Sequence, residues 1–347
     1  MPGLCSAWKA SADFRIWRFT CRDAPAIAAE LRRVGRTAAS PSRWLFADAG
    51  VDAPTARTLV VRLPFAWRRF PYALTAAAAG PRGVPGPFRL VRGSPGEVVA
   101  ERDGKRVVFR RLAPAAAVRA FRAGRIDEAP VPTGDADLLR ERYDVRAREL
   151  LALDAVVFTR AVDPGLRRAY RDTANRGDYR QLLDTSLALS VVPSARKPDP
   201  AAFRRALKAI PGLPREAVRI ARAPSLDYGA DILYGQWREA GLGPVLVRPG
   251  DRSDARFERL TAAYPQAEAL PAALVLGEGL SGRRMLLRAL ARANQQSALA
   301  AVDDDLTGRA RAIPVAWVTD ERLVSRRLGG WNEDLLGAVD YARVTTG

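Results

Sequence analysis

A chain of 347 residues without a single histidine has a short list of reactions open to it. Histidine general bases, Ser-His-Asp triads and imidazole-built zinc sites are excluded by composition. Cys5 and Cys21 are the only cysteines, too few for a thiolate cluster or a disulfide framework. Gly277, Gly279 and Gly282 fit G-x-G-x-x-G between a predicted strand (272–276) and a predicted helix (281–300). In that setting backbone amides hold a phosphate. A dinucleotide fingerprint, however, opens its domain and has an acid about 20 residues on, at the end of a second strand. Here helix follows, and the next acids, Asp303, Asp304 and Asp305, fall in a predicted loop. Those three could offer oxygens to a hard cation, but without a glycine turn and a spaced glutamate a solvated loop is expected. The pairs Asp135/Asp137 and Glu239/Glu258 show no partner logic. No catalytic constellation, metal site or cofactor is expected, and the chain reads as a non-enzyme. The remaining candidates are aromatic: Trp67, Tyr234, Trp237, Tyr264 and Trp317 lie near turns and strand ends, as core residues or as walls for a ligand.

The elements that hold these residues are predicted from pattern. Asp23 caps and Pro25 opens a helix with Ile27, Leu31 and Val34 on one face, closed by Gly35. Residues 58–63 read as a strand. A Pro/Gly-rich passage between Trp67 and Phe88 marks a crossing between lobes. Two β-rich runs flank Asp103-Gly104, a pair suited to a tight hairpin turn. A helix over 114–123 ends at Gly124, and 153–158 form a strand. From residue 161 helices (163–172 or on to 187, 200–209, 229–240, 253–263, 281–300) alternate with strands (217–221, 244–248, 272–276), with a last strand at 313–318. That alternation predicts βαβ units and a mostly parallel sheet.

The formal net charge is +18, with a pI near 10.9, values typical of nucleic-acid binders. Yet the charge is spread along the chain as arginine pairs such as Arg32-Arg33, Arg110-Arg111 and Arg283-Arg284. Scarce lysine beside abundant Ala, Gly, Pro and Arg fits a GC-rich coding sequence, so no specific nucleic-acid partner is expected. A basic nucleic-acid-associated protein stays as the alternative. No run of 18 apolar residues crosses a bilayer, and no basic segment with an apolar core marks a secretory signal. A Cys5–Cys21 disulfide is left open by the sequence.

Segment by segment, the chain resembles the family 5 extracellular solute-binding proteins, the oligopeptide- and dipeptide-binding class that serves ABC importers. Trp17-Arg18-Phe19-Thr20-Cys21-Arg22 is similar to that family's early F-T-L-R strand, and 24–35 to the helix after it. Val84-Pro85-Gly86-Pro87-Phe88-Arg89-Leu90 resembles its G-T-G-P-Y-x-L segment, with Val84-Pro85 in place of Gly-Thr. Residues 107–112 and 120–127 resemble its strand and "a-l-x-x-G-e-i-D". Residues 164–176 sit where the family has V-R-x-A…D-R, and 312–317 and 324–331 look like its closing strand and turn.

The resemblance implies an α/β, two-lobed, type II periplasmic-binding-protein-like fold with mixed sheets, flanking helices and a small inserted subdomain. Residues 1–85 would be the inserted subdomain of lobe I, 86–160 its core, 161–310 lobe II, and 311–347 the return to lobe I. It further implies a monomer that holds a peptide-like or other small solute in an interlobe cleft and passes it to a permease, with no bond made or broken. Trp237, Tyr264 and Trp317, with Tyr234 and Phe88 behind them, are the expected ligand walls. Two departures stand out. The family's acid for a peptide amino group, in W-x-x-D…D-P, has no counterpart in the stretch 262–267. Its signal, lipid-anchor cysteine and opening strand are not visible either. An extracytoplasmic location is therefore implied by the family and left open by this chain, with a truncated, mis-started or degenerate, non-transporting copy as the expectation.

Overall fold

The computed structural model describes residues 4–38, 40, 42–74, 88–132, 134–183, 185–193 and 198–347. It starts with a hairpin, β1 (Cys5–Ala10) against β2 (Ile16–Cys21), closed by a Cys5–Cys21 disulfide. β1 precedes the segment Trp17–Arg22 and pairs with it through β2. Next, α1 (Ala24–Arg36) begins where the Asp23 carboxylate accepts the Ala26 amide at 3.0 Å, and runs past Gly35. α2 (Arg43–Phe46) packs so closely on α1 that a Cβ on Gly35 would stand 2.7 Å from the Phe46 carbonyl oxygen. β3 (Gly50–Thr55) and β4 (Thr58–Arg62) complete an antiparallel sheet in the order β1-β2-β4-β3, and α3 (Phe70–Ala73) follows. Opposed pairs Trp17/Val61 and Phe19/Leu59 put large apolar groups on one face, and Ile27, Leu31 and Val34 are the buried stripe of α1.

A meander follows: β5 (Arg89–Gly93), β6 (Glu97–Arg102) and β7 (Lys105–Arg110). Asp103 and Gly104 both have positive φ (49° and 76°), as a two-residue primed turn requires, so the hairpin forms where predicted. α4 (Pro114–Arg122), β8 (Glu128–Pro130), α5 (Ala136–Arg140) and the long β9 (Val145–Phe158) come next.

The second half runs α6 (Pro164–Thr173), α7 (Arg176–Leu183), β10 (Ser186–Leu187), α8 (Ala202–Ala209), β11 (Val218–Arg222), α9 (Asp227–Glu239) and β12 (Pro244–Val247). β13 (Ala255–Thr261) is a strand where a helix was expected. Its deciding pattern is period two, with Ala255 and Phe257 buried between less buried neighbours. Conversely, 272–276 is not a strand. α10 (Ala269–Ala272) passes into a π turn over Ala273–Gly277, with Leu270, Leu274 and Val275 all buried. A short apolar run buried on all sides carries no periodicity that separates strand from helix. The single helix predicted over 281–300 is two, α11 (Arg283–Leu290) and α12 (Gln296–Gly308), and the last strand is β14 (Ala312–Val324).

The largest sheet has the order β10-β14-β9-β13-β11-β12, with β8 also on β14. β11 is parallel to both β12 and β13, whereas β13/β9 and β14/β8 are antiparallel, so the sheet is mixed rather than mostly parallel. Packing divides the chain into two units. One comprises Met1–Val84, Ala152–Arg176 and Ala188–Ala316; the other comprises Pro85–Leu151, Gly177–Leu187 and Trp317–Gly347. The grouping differs from the sequence reading, which joined 1–85 to 86–160 rather than to 188–316.

Candidate functional site

The aromatic residues singled out by sequence divide between the units. Trp237, Tyr264 and Tyr234 belong to the first, Trp317 and Phe88 to the second. Trp237 is on α9 and 1% exposed; its Nε1–H donates to the Tyr170 carbonyl at 3.0 Å, and the two rings meet edge to face at 5.0 Å. Tyr264 is 0% exposed. Both are core residues of the first unit rather than surface walls, which corrects their expected placement. Their bulk fills the core, and the indole N–H finds a backbone acceptor there. Trp317 is buried on β14, while Tyr234 and Phe88 are half-buried and keep accessible surface. The Val84–Pro87 part of the glycine-proline segment before Phe88 lies outside the described residues.

Around Tyr264 the first unit buries several polar side-chain atoms inside an aromatic shell. Trp67 lies 5.8 Å from Tyr264 and 6.4 Å from Trp44, centroid to centroid, and Phe70 lies 5.6 Å from Trp67. Four residues beyond Tyr264 stands Glu268, fully buried, with neither carboxylate oxygen hydrogen-bonded. Trp67 Nε1, Trp44 Nε1 and the Tyr264 hydroxyl also lack a well-formed hydrogen bond. Burial pushes the Glu268 carboxyl above its ordinary value, against the pull of Arg69 and the neighbouring Trp67 indole. The Tyr264 hydroxyl is raised well above its ordinary value by burial and by that same carboxyl. A carboxyl in such a place takes the neutral form more readily and can then donate a proton to a hydrogen bond. Glu268 escaped the sequence reading, although one acid inside the apolar run Ala269–Val275 and its approach is a visible signal.

In the second unit the dominant polar feature is centred on Arg322 of β14. Its guanidinium donates to Asp320 (Nε, 2.9 Å), Glu128 (Nη1, 2.7 Å) and the Gly337 carbonyl (Nη2, 2.9 Å). Glu128 also accepts from the Tyr341 hydroxyl at 2.7 Å. Burial lowers the Arg322 pKa, but the surrounding carboxylates outweigh it and hold the group above its ordinary value. Every charge in this network has a partner, so its reading is structural. On the meander, the Lys105 ammonium is bound by the carbonyls of Tyr341, Ala342 and Val344.

The remaining motifs lose their chemical setting. Gly277–Gly282 follows a helical turn, not a strand, so the strand–loop–helix geometry of a phosphate loop is absent there. Asp303, Asp304 and Asp305 lie on α12 rather than in a loop. Asp303 accepts the Val191 amide at 2.8 Å, and Asp305 accepts the Ser281 hydroxyl at 2.8 Å and pairs with Arg309 at 2.7 Å. Among the described residues no group of three or more His, Cys, Asp or Glu side chains is placed to hold a metal ion.

No family model matches the chain, and no curated protein matches it in sequence. Solved structures do match it over its length. Haemophilus influenzae OppA in complex with the peptide RPPGFSPFR superposes with a TM-score of 0.81 at 14% identity, covering 100% of this chain and 90% of that one. A periplasmic oligopeptide-binding protein of an oligopeptide ABC transporter from Borrelia burgdorferi gives 0.81 at 15% identity, covering 100% and 91%. NikA from Brucella suis, in complex with Fe(III)-EDTA, gives 0.77 at 17% identity, covering 99% and 90%. At these identities the likeness is one of fold: the chain has the α/β fold, with mixed sheets and flanking helices, of the two-lobed periplasmic binding proteins.

Proposed function

We propose that the chain is a solute-binding protein of an ABC import system, which captures a peptide-like or other small molecule and hands it unchanged to a permease. The observation that carries this reading is the likeness over essentially the whole chain to proteins solved with a peptide or a metal chelate bound. A protein of this kind needs shape and a few orienting polar groups, not a nucleophile and a base. The composition, without histidine, suits that role. The Cys5–Cys21 disulfide supports a working place outside the cytoplasm, since such bonds persist in oxidising compartments. In this reading the protein acts as a monomer, and Tyr234 and Phe88, which keep accessible surface, are the aromatic contacts to test first.

A peptide that contacts its receptor through a free ammonium is held most strongly where a carboxylate meets it. Because the stretch 262–267 carries no acid, the proposal favours solutes held by aromatic and backbone contacts over those held by an N-terminal charge. A thermal-shift screen of purified protein against di- to octapeptides, N-acetylated peptides and metal chelates tests the reading. A ligand at 100 times its Kd adds about 2.7 kcal/mol of stability. Saturable stabilisation by one class supports the proposal; a flat response across all classes counts against it.

A further inference from the structure

The meander β5-β6-β7 sorts its side chains by charge. Directly opposed residues of an antiparallel pair share a face, and alternate rows share it too. One face therefore carries Arg89, Glu101 and Arg106, then Arg92, Val99 and Val108, then Glu97 and Arg110. Glu97 pairs with Arg92 and Arg110, and Glu101 with Arg89 at 3.5 Å and Arg106 at 4.0 Å. Both acids stand on the central strand and all four arginines on the edge strands, so cations form the rim. The opposite face carries the rows Leu90/Ala100/Val107 and Gly93/Val98/Phe109. Leu90 leans over Gly93, where an added Cβ would stand 3.9 Å from its methyl groups, and so lies beside Val98 in the next row. An apolar sheet face is ordinarily packed on a core. Here the C-terminal segment covers only part of it: Tyr341 meets the Phe109 ring edge to face at 5.2 Å, and Lys105 binds the nearby carbonyls. Leu90 stays 64% exposed, Phe109 44% and Val98 38%. Residues 89–111 hold seven Arg or Lys against three acids, so the charge left over is positive.

We propose that this face of the meander docks on a bilayer surface bearing anionic phospholipids, with Leu90, Val98 and Phe109 at the boundary between headgroups and acyl chains and the rim arginines on lipid phosphates. An exposed apolar patch rimmed by polar groups marks an interaction surface, and the cationic rim sets the sign of the partner. Arginine stems are long enough to reach round an edge strand while the guanidinium holds a phosphate. An anionic bilayer offers this layering, phosphate above hydrocarbon, at every point of its surface. An acidic protein would have to supply an apolar centre with acids along both edges. The docking needs no bound solute, so its failure would leave the solute-binding reading untouched.

Co-sedimentation of the full chain with lipid vesicles is measured at about 0.1 M salt, where charges are screened over about 10 Å. The wild type sediments with vesicles of mixed phosphatidylglycerol and phosphatidylcholine and stays in solution with phosphatidylcholine alone. Leu90→Ser with Phe109→Ser leaves the net charge unchanged and weakens binding about tenfold or more, through loss of two inserted apolar side chains. Arg89→Gln with Arg92→Gln weakens it by a similar factor, about tenfold. Arg204→Gln with Lys208→Gln removes the same charge from exposed positions on α8 and changes binding less than about twofold. Should the Leu90, Phe109 double variant fail to fold, Leu90→Ser alone decides, at the more exposed position. No sedimentation with the anionic vesicles, or equal sedimentation with both kinds, overturns the proposal. So does a folded serine variant that binds as the wild type does, or a loss at α8 equal to that at Arg89 and Arg92. Binding of polyglutamate as tightly as the vesicles would give the face to an acidic protein and overturn it as well.

Discussion

Arg259 and Asp154 stand directly opposite each other on the antiparallel strands β13 and β9, and their side chains meet with two parallel hydrogen bonds. Arg259 Nε donates to Asp154 Oδ1 at 2.8 Å and Nη2 to Oδ2 at 3.1 Å. The carboxylate is 1% exposed on its side-chain atoms and the guanidinium 40%, so one partner is committed to the interior and the other reaches solvent. Such a pair favours one register: a slip of one residue would part Asp154 from the Arg259 guanidinium opposite it.

Arg259→Ala therefore costs on the order of 2–4 kcal/mol in chemical denaturation, because it takes a two-bonded cation away from a buried carboxylate. Asp154→Leu combined with Arg259→Leu costs much less than the single change. A double variant as unstable as Arg259→Ala would show that the pair does not set the register.

Glu268 gives stability a pH dependence with a definite sign. Its folded pKa is raised, burial being the largest cause, above an ordinary value of 4.5. The folded state thus keeps a proton that the unfolded chain has released. The group's contribution is full below about pH 4.5 and is lost as pH rises through the folded value. Glu268→Gln removes that loss, so the variant gains on the wild type as pH rises from 5 toward 8. Equal pH slopes in Tm for the two proteins would contradict the assignment.

How far these features could be read in advance depends on whether one residue or a meeting of residues decides them. The Asp103-Gly104 turn and the Asp23 cap were legible because both are local: positive φ and a side-chain acceptor belong to the residues themselves. The exchange of strand and helix at 253–277 was not, because Ala269, Leu270, Ala272, Leu274 and Val275 form an almost unbroken buried apolar run with too little period to mark a face. Trp237 and Tyr264 look the same in sequence whether they wall a pocket or fill a core. Only the Tyr170 carbonyl at the indole N–H and full burial of the phenol place them inside.

The Cys5–Cys21 bond ties β1 to β2 across a sequence separation of 16. A loop of that length constrains the unfolded chain by about 3 kcal/mol. The Cys5→Ser, Cys21→Ser variant is expected to lose roughly that much and to free β1 for proteolysis under native conditions. Unchanged protease resistance would mean that strand pairing alone holds β1.

The basic residues behind the net charge of +18 are spread along the chain rather than gathered in one tail, and several are held in ion pairs, such as Arg222 with Asp227 and Asp231, and Arg327 with Asp127. Binding to duplex DNA is accordingly expected to be non-specific and to fade between about 50 and 200 mM salt. Sequence-preferring binding that survives the higher salt would favour a nucleic-acid function.

Capture of a solute without chemical change is the central claim, and isothermal titration of the purified protein with peptides from a thermal-shift screen tests it most directly. The titrated mixture is then analysed by mass spectrometry. The account predicts saturable binding at one solute per chain, with the solute recovered at its original mass. A peptide returned cleaved or modified in proportion to time, or the absence of saturable binding for every solute class, would contradict it.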